Sequence, residues 1–394
     1  MNKLAYLEEK IEQLKKDGVY RILPVNAGPC ANVITLNGRR TVNLSANNYL
    51  CLATHPRVIA AAKTALERYG VGAGSVRTIV GNQDLLEKLE STIAEFKREE
   101  AVTVFQSGLN CNLGTIPAVT DKEDLILSDE LNHASIIDGI KLSKADKAVF
   151  KHKDVGDLER IVASERSKHR NILIITDGVF SMDGDLAPLP KIVEIAERYG
   201  CLTYVDDAHG SGVLGENGRG TVDHFHLNGK VDFIVGTLSK AVGTIGGYVA
   251  SAQIVKEWLL HRGRPLLFST ALPPAEVAAA TEAIRLLSES GEYTARLWDN
   301  ARHFKAGLSA LGFDLGHSET PITPVMLGSE ALTMAFSKAL LAEGVFVSGI
   351  VFPTVPLGKG RLRCMLSAGH TQPDLDFAIQ AFAKVGKSLG ILPR

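Results

Sequence analysis

Apolar positions recur along this chain with two different periods. Near the N-terminus Leu4, Leu7, Ile11 and Leu14 repeat at helical spacing between acids and lysines. This predicts an amphipathic helix ending near Gly18. Two short apolar runs, 33–36 and 41–44, then flank Asn37-Gly38. That dipeptide favours a two-residue hairpin turn, because both residues tolerate positive φ. Residues 1–45 therefore read as a helical arm and a hairpin.

From about residue 56 the pattern changes. Helical segments are predicted from His55-Pro56 to Tyr69 and from Gln83 to Phe96. Short apolar runs follow at 101–105, 125–127, 148–150, 172–175, 202–205 and 233–235, with 248–250 as one more strand beside them. Continuous apolar runs separated by helix-length segments mark strands buried on both faces. The predicted class is α/β, with a mainly parallel central sheet covered by helices. Composition shifts around Ser288–Glu292. Residues 46–288 thus read as a large domain and 289–394 as a smaller α+β domain. The latter is predicted to hold one long helix, a few short strands and a final helix from Asp374 to Lys387.

Composition narrows the function. The 394 residues carry 43 basic and 44 acidic side chains, a net charge of −1. With no basic stripe, nucleic acid is not an expected partner. No apolar run is long enough to span a membrane, and the N-terminus has no signal-peptide core. The five cysteines are scattered and never in CxxC spacing. They predict neither disulfides nor a metal site, but buried free thiols in a reducing cytoplasm. The 37 glycines predict tight turns and close backbone approach to a ligand.

In open α/β sheets, ligands sit beyond the carboxyl ends of the strands. Asp206, Asp207 and His209 follow one run there, and Thr237, Ser239 and Lys240 another. Ser107-Gly108-Leu109 passes from a strand into a helix, where backbone amides favour phosphate. Asp177 and Ser181 follow a fourth run, and Asn132 and His133 a fifth. A lysine at a sheet mouth is by default a solvated loop residue. With a carboxylate and a phosphate cradle beside it, it becomes a candidate imine-forming amine, as pyridoxal phosphate chemistry requires. His133 suits stacking on a flat ring or taking a proton. Arg361 and Arg363 alternate on one strand face, and one of them suits a substrate carboxylate.

Six ordered motifs carry a resemblance. They are Asn47–Leu50, Gly74–Arg77, Asn132–Gly139, Asp177–Gly184, Val205–His209 and Gly236–Lys240. Together they resemble the α-oxoamine synthases, fold-type I pyridoxal phosphate enzymes, over nearly the whole chain. The resemblance implies that Lys240 bonds the cofactor, Asp206 pairs with its pyridine nitrogen, and His209 reaches its phenolic oxygen. His133 would stack on the ring, and Ser181 would lie near the cofactor oxygen. Gly108 and Leu109 would give amides to the phosphate, with the Thr237 hydroxyl. Ser269 and Thr270 would reach the phosphate from a partner subunit, making the site a homodimer property. Arg363 would hold the amino-acid carboxylate and Asn47 would lie against the substrate. Catalysis would fall to Lys240, His133, Asp206 and His209.

Within that family, 133–139, 180–184, 215–220 and 361–370 favour the branch that joins glycine and acetyl-CoA to give 2-amino-3-oxobutyrate and CoA. The alternative is the branch that condenses L-alanine with a pimeloyl thioester, with loss of carbon dioxide, to give 8-amino-7-oxononanoate. Both activities in one chain is a third outcome. An aminotransferase of the same fold is a weaker possibility, and a pyridoxal-binding regulator would need an appended DNA-binding segment. One departure stands out: Cys51 follows the Asn-Asn-Tyr-Leu motif where the family usually has glycine.

Overall fold

The computed structural model describes residues 3–16, 20 and 23–393. A seven-stranded sheet forms its centre. In spatial order its strands are Ala101–Phe105, Gly247–Ser251, Phe233–Thr237, Leu202–Asp206, Ile172–Asp177, Leu125–Asp129 and Asp146–Phe150. All neighbours pair in parallel except Gly247–Ser251, which runs antiparallel to both of its neighbours. Each predicted run is present, most of them longer by one or two residues. The added residues include Asp129, Asp177, Asp206 and Thr237, which are polar and so fell outside an apolar pattern.

The run Ile172-Leu173-Ile174-Ile175 shows why these strands are apolar throughout. Successive side chains point to opposite faces. Leu173 and Ile175 join a cluster with Cys111, Ile116, Ile136, Ile140 and Leu259, which come from helices on one face. Ile172 and Ile174 join Leu158, Val162, Ile192 and Ile195 from helices on the other. Each such buried side chain contributes roughly 1.5–3 kcal/mol. A polar residue in either phase would therefore break one of the two interfaces.

The chain beyond residue 288 forms a second, antiparallel sheet of Ile322–Gly328, Gly360–Met365 and Ser348–Ile350. Three helices accompany it, Glu292–Leu311, Glu330–Ala342 and Gln372–Ser388. The middle one is absent from the sequence reading. The last begins two residues before the predicted Asp374, because Thr371 caps it and Asp374 closes a capping box.

The N-terminal hairpin forms as read, with Leu36 opposite Arg39 and positive φ at Asn37 and Gly38. It is not a free arm: Arg39–Asn43 pairs in parallel with Val345–Phe346. The first helix, Ala5–Lys16, is exposed throughout. Its predicted end at Gly18 lies outside the described residues. No helix among the described residues is long and apolar enough to cross a membrane. All five cysteines are free, but only Cys111 and Cys364 are buried; Cys51 and Cys201 are half-buried and Cys30 is exposed, which corrects the reading of them as buried. Cys51 has φ 58° and ψ 26°. That left-handed conformation explains why glycine suits the position.

Candidate active site

The carboxyl ends of four neighbouring strands converge with the loop that carries Lys240. This loop is closed by Thr237 Oγ1 donating to the Gly246 carbonyl at 3.1 Å and by the Leu238 amide donating to the same oxygen at 3.0 Å. Loss of water around the Lys240 amine lowers it to about 8, against the opposing pull of Asp206 and Asp177. At that value an appreciable share of the amine is unprotonated near neutral pH, which a nucleophile requires.

Asp206 and Asp177 are register partners on adjacent parallel strands. The Asp206 carboxylate accepts from the Asn112 amide at 2.8 Å and from the Ala208 N–H at 3.1 Å. Asp177 accepts from the His133 N–H at 2.8 Å. Burial, reinforced by Asp206, holds the Asp177 carboxyl well above its ordinary value.

Two histidines flank the lysine. His209 is buried, and loss of water together with Lys240 and Arg363 pushes its imidazole well below the usual range. Its Nδ1 lies 2.8 Å from the Tyr49 hydroxyl. Burial raises the Tyr49 phenol, so the phenol keeps its proton and is able to donate it to Nδ1. With Tyr49 as the donor, the His209 ring proton sits on Nε2. His133 caps the helix Ala134–Leu142 and keeps an exposed edge. Removal of its ring from water still lowers the imidazole; Asp206 opposes this, and Lys240 and Arg363 reinforce it.

Ser107 caps the helix Gly108–Val119 by accepting from the Asn110 N–H at 3.1 Å. The Gly108 and Leu109 amides lie in its first turn, where no intrahelical acceptor exists. This helix start lies tight against the strand Gly247–Ser251. A Cβ on Gly247 would fall 2.5 Å from the Gly108 nitrogen, so only glycine fits. Ser269 and Thr270 lie beyond the helix Arg264–Phe268, and their carbonyls hold the Gln106 amide at 3.4 and 3.0 Å.

Arg361 and Arg363 separate cleanly. Arg361 is ion-paired with Asp183 and contacts the Met182 carbonyl. Arg363 has only long contacts, 3.4 Å to the Ser181 carbonyl and 3.4 Å to Asn47 Oδ1. Its Nε is buried with no partner. A guanidinium in that state is a vacant bidentate donor. It also gathers Asn47 and Ser181 to the site. Among the described residues no group of three or more His, Cys, Asp or Glu could hold a metal.

Sequence reasoning assigned no role to Tyr49, Asn112, Ser135 or Tyr204. Tyr49 and Ser135 lay inside quoted motifs. Asn112 sits in an apolar helix, where a polar residue was the one available signal.

A mainly parallel sheet, a lysine with a lowered amine at its mouth and an amide cradle at a helix start define a pyridoxal phosphate enzyme of fold type I. The model of the family described as aminotransferase class I and II matches residues 39–382, and the chain belongs to that family. A curated 8-amino-7-oxononanoate synthase from Alkaliphilus metalliredigens is 65% identical, covering 100% of this chain and 99% of that protein. One from Alkaliphilus oremlandii is 64% identical with the same coverage. A solved structure of SPT, or serine palmitoyltransferase, with its pyridoxal phosphate internal aldimine has a TM-score of 0.95 and 34% identity, covering 100% of both chains. The chain is thus a pyridoxal phosphate-dependent enzyme of the α-oxoamine synthase type. The glycine and acetyl-CoA branch gains no support from these relatives, which carry the name of the alternative. The residues present fit the cofactor: the Gly108 and Leu109 amides start a helix without acceptors of their own, beside the lowered Lys240 amine, while the unmatched Arg363 donor suits a substrate carboxylate.

Proposed function

We propose that this chain is an 8-amino-7-oxononanoate synthase, condensing L-alanine with a pimeloyl thioester. Full-length identity of 65% to a curated enzyme of that name carries the reading. Overall, the alanine Cα–H and acyl C–S bonds break and a Cα–acyl bond forms, the Cα proton balancing the departing CoA thiolate. The Cα–carboxylate bond then breaks to release carbon dioxide, and a proton from solvent takes its place on Cα.

Bound pyridoxal phosphate supplies an electron-withdrawing ring that stabilises negative charge at the Cα of an attached amino acid. The protein's share follows from its own side chains. Lys240 would carry the cofactor at rest and then, as a free amine, take the Cα proton at Nζ. Asp206 would hold the proton on the pyridine nitrogen. His209, with its ring proton on Nε2, would donate to the phenolic oxygen, and Ser181 would lie near it. His133 would lie over the ring and give a proton to the thioester oxygen. The Gly108 and Leu109 amides would hold the phosphate from the same subunit. Ser269 and Thr270 would hold it across a homodimer, with the Thr237 hydroxyl turning from Gly246 to assist. Arg363 would grip the alanine carboxylate, with Asn47 beside it.

The test is CoA release measured with alanine plus pimeloyl-CoA against glycine plus acetyl-CoA. The first pair should turn over faster. A faster second pair overturns the reading and restores the glycine branch.

A further inference from the structure

Asn112 lies on the helix Gly108–Val119, is fully buried, and uses every polar atom of its side chain. Its Oδ1 accepts from the Tyr204 hydroxyl at 2.7 Å. One Nδ2 hydrogen goes to Asp206 Oδ2 at 2.8 Å. The other goes to Ser135 Oγ at 2.9 Å. Ser135 Oγ in turn lies 2.7 Å from His133 Nδ1. Four side chains from three separate elements therefore form one continuous chain between Asp206 and His133.

The direction of every bond in this chain is determined. A carboxylate has only acceptors to offer, so the amide edge facing Asp206 is Nδ2. Oδ1 must then face Tyr204, whose hydroxyl can donate. The second Nδ2 hydrogen takes one of the two Ser135 Oγ lone pairs. Because the Ser135 backbone N–H, at 3.2 Å, makes His133 Nδ1 an acceptor, the proton between Oγ and Nδ1 is the serine's. Nδ1 thus accepts twice, and the His133 ring proton must sit on Nε2.

We propose that Asn112 and Ser135 are positioning residues that tie the proton position on the His133 ring to Asp206. Neither needs to touch substrate. Asn112 reads the carboxylate with one hydrogen and, with the other, occupies one Ser135 Oγ lone pair, which favours the hydroxyl orientation that donates to Nδ1. The Ser135 amide alone is the weaker constraint. A serine hydroxyl released from Asn112 can rotate and accept from Nδ1–H instead, which would move the ring proton away from Nε2. The consequence for catalysis rests on the reading of Asp206 and His133 as cofactor-facing groups; the hydrogen-bond chain itself does not.

The experiment is long-range nitrogen-15 correlation spectroscopy on the full chain labelled at histidine, with and without pyridoxal phosphate. His133 signals are assigned by their loss in His133→Asn. The unsubstituted chain should show His133 in a single neutral form, with its proton on Nε2. Ser135→Ala and Asn112→Leu should each convert it to a tautomer mixture, and Ser135→Thr should restore the single form. Ser135→Ala removes one oxygen and keeps the test valid if the asparagine variant does not fold. The proposal is overturned if His133 in folded Ser135→Ala shows the unchanged single form, or if the unsubstituted chain carries its proton on Nδ1. Failure of the cofactor reading would look different. Pyridoxal phosphate would then leave the absorbance of the Lys240→Ala variant and the unsubstituted chain alike, while the cofactor-free tautomer pattern stood.

Discussion

Asp206 and Asp207 are chain neighbours at the end of one strand, and their surroundings could hardly differ more. Asp207 is fully buried and saturated. It pairs with Lys97 at 3.0 Å and accepts from the Thr221 N–H at 2.9 Å, the Thr221 hydroxyl and the Ser211 hydroxyl at 3.0 Å. Lys97 is held as a cation there: burial lowers its amine, but Tyr248 and Asp207 raise it further. Asp206, on the opposite phase of the strand, meets neutral amides and lies near Lys240, His133 and Asp177. A carboxylate with all its partners inside the protein is architecture. One whose partners leave it beside an amine and a histidine is chemistry. Sequence alone presents both as the same strand-end acid.

Substitutions should separate the two aspartates. The largest effect is expected from Lys240→Ala, where removing the proposed base and cofactor anchor should cut turnover by about 10⁴-fold. It should also remove the visible absorbance of the bound cofactor. Retained absorbance with retained turnover would move the site elsewhere. Asp206→Asn should lower turnover by about 10²–10³-fold, in the range seen when one preorganised electrostatic partner is lost. Its thermal midpoint should stay within a few degrees of the parent.

Asp207→Asn should do the reverse. It strands the Lys97 charge in the interior, a loss of about 3–5 kcal/mol. Urea unfolding should show this, while the cofactor absorbance of the folded fraction is unchanged. If Asp206→Asn unfolds the protein and Asp207→Asn only slows it, the division drawn between them is wrong. Arg363→Lys should raise KM for the amino acid about 10–100-fold, matching the loss of one or two charge-assisted hydrogen bonds. KM for the acyl thioester should hardly move.

The smallest effect is a pH dependence. In the cofactor-free protein the Lys240 amine titrates near 8 when folded but near 10.4 when unfolded. Between those values the unfolded chain binds the extra proton, so stability rises with pH through this window. The contribution should be on the order of 1 kcal/mol between pH 8 and 9.5. Urea midpoints across that range should rise more for the parent than for Lys240→Met, and equal slopes would refute the lowered amine.

Much of the fold was legible because burial on both faces leaves a direct trace. Strand 172–177 reads as apolar in both phases, and helix-length spacing between such runs implies crossovers. The helix Glu330–Ala342 was missed because Leu332, Met334, Ala335, Leu340 and Leu341 give it no clean polar face. The strand-end positions of Lys240, Asp206, His209 and His133 were legible too, as each follows an apolar run. Which arginine stays open was not. Arg361 and Arg363 share a face, and only the fold brings Asp183 against one of them.

The sequence by itself determined the class, the strand ends that carry chemical groups and the family, because periodicity and ordered motifs are local properties of the chain. It left the choice of acyl branch open between two siblings, and the first choice found no support. The tertiary structure decided which groups are saturated. Asn112, Ser135 and Tyr49 acquire roles only through partners 94, 23 and 160 residues away. Hydrogen-bond direction depends on what lies across a space, and no spacing along the chain encodes that.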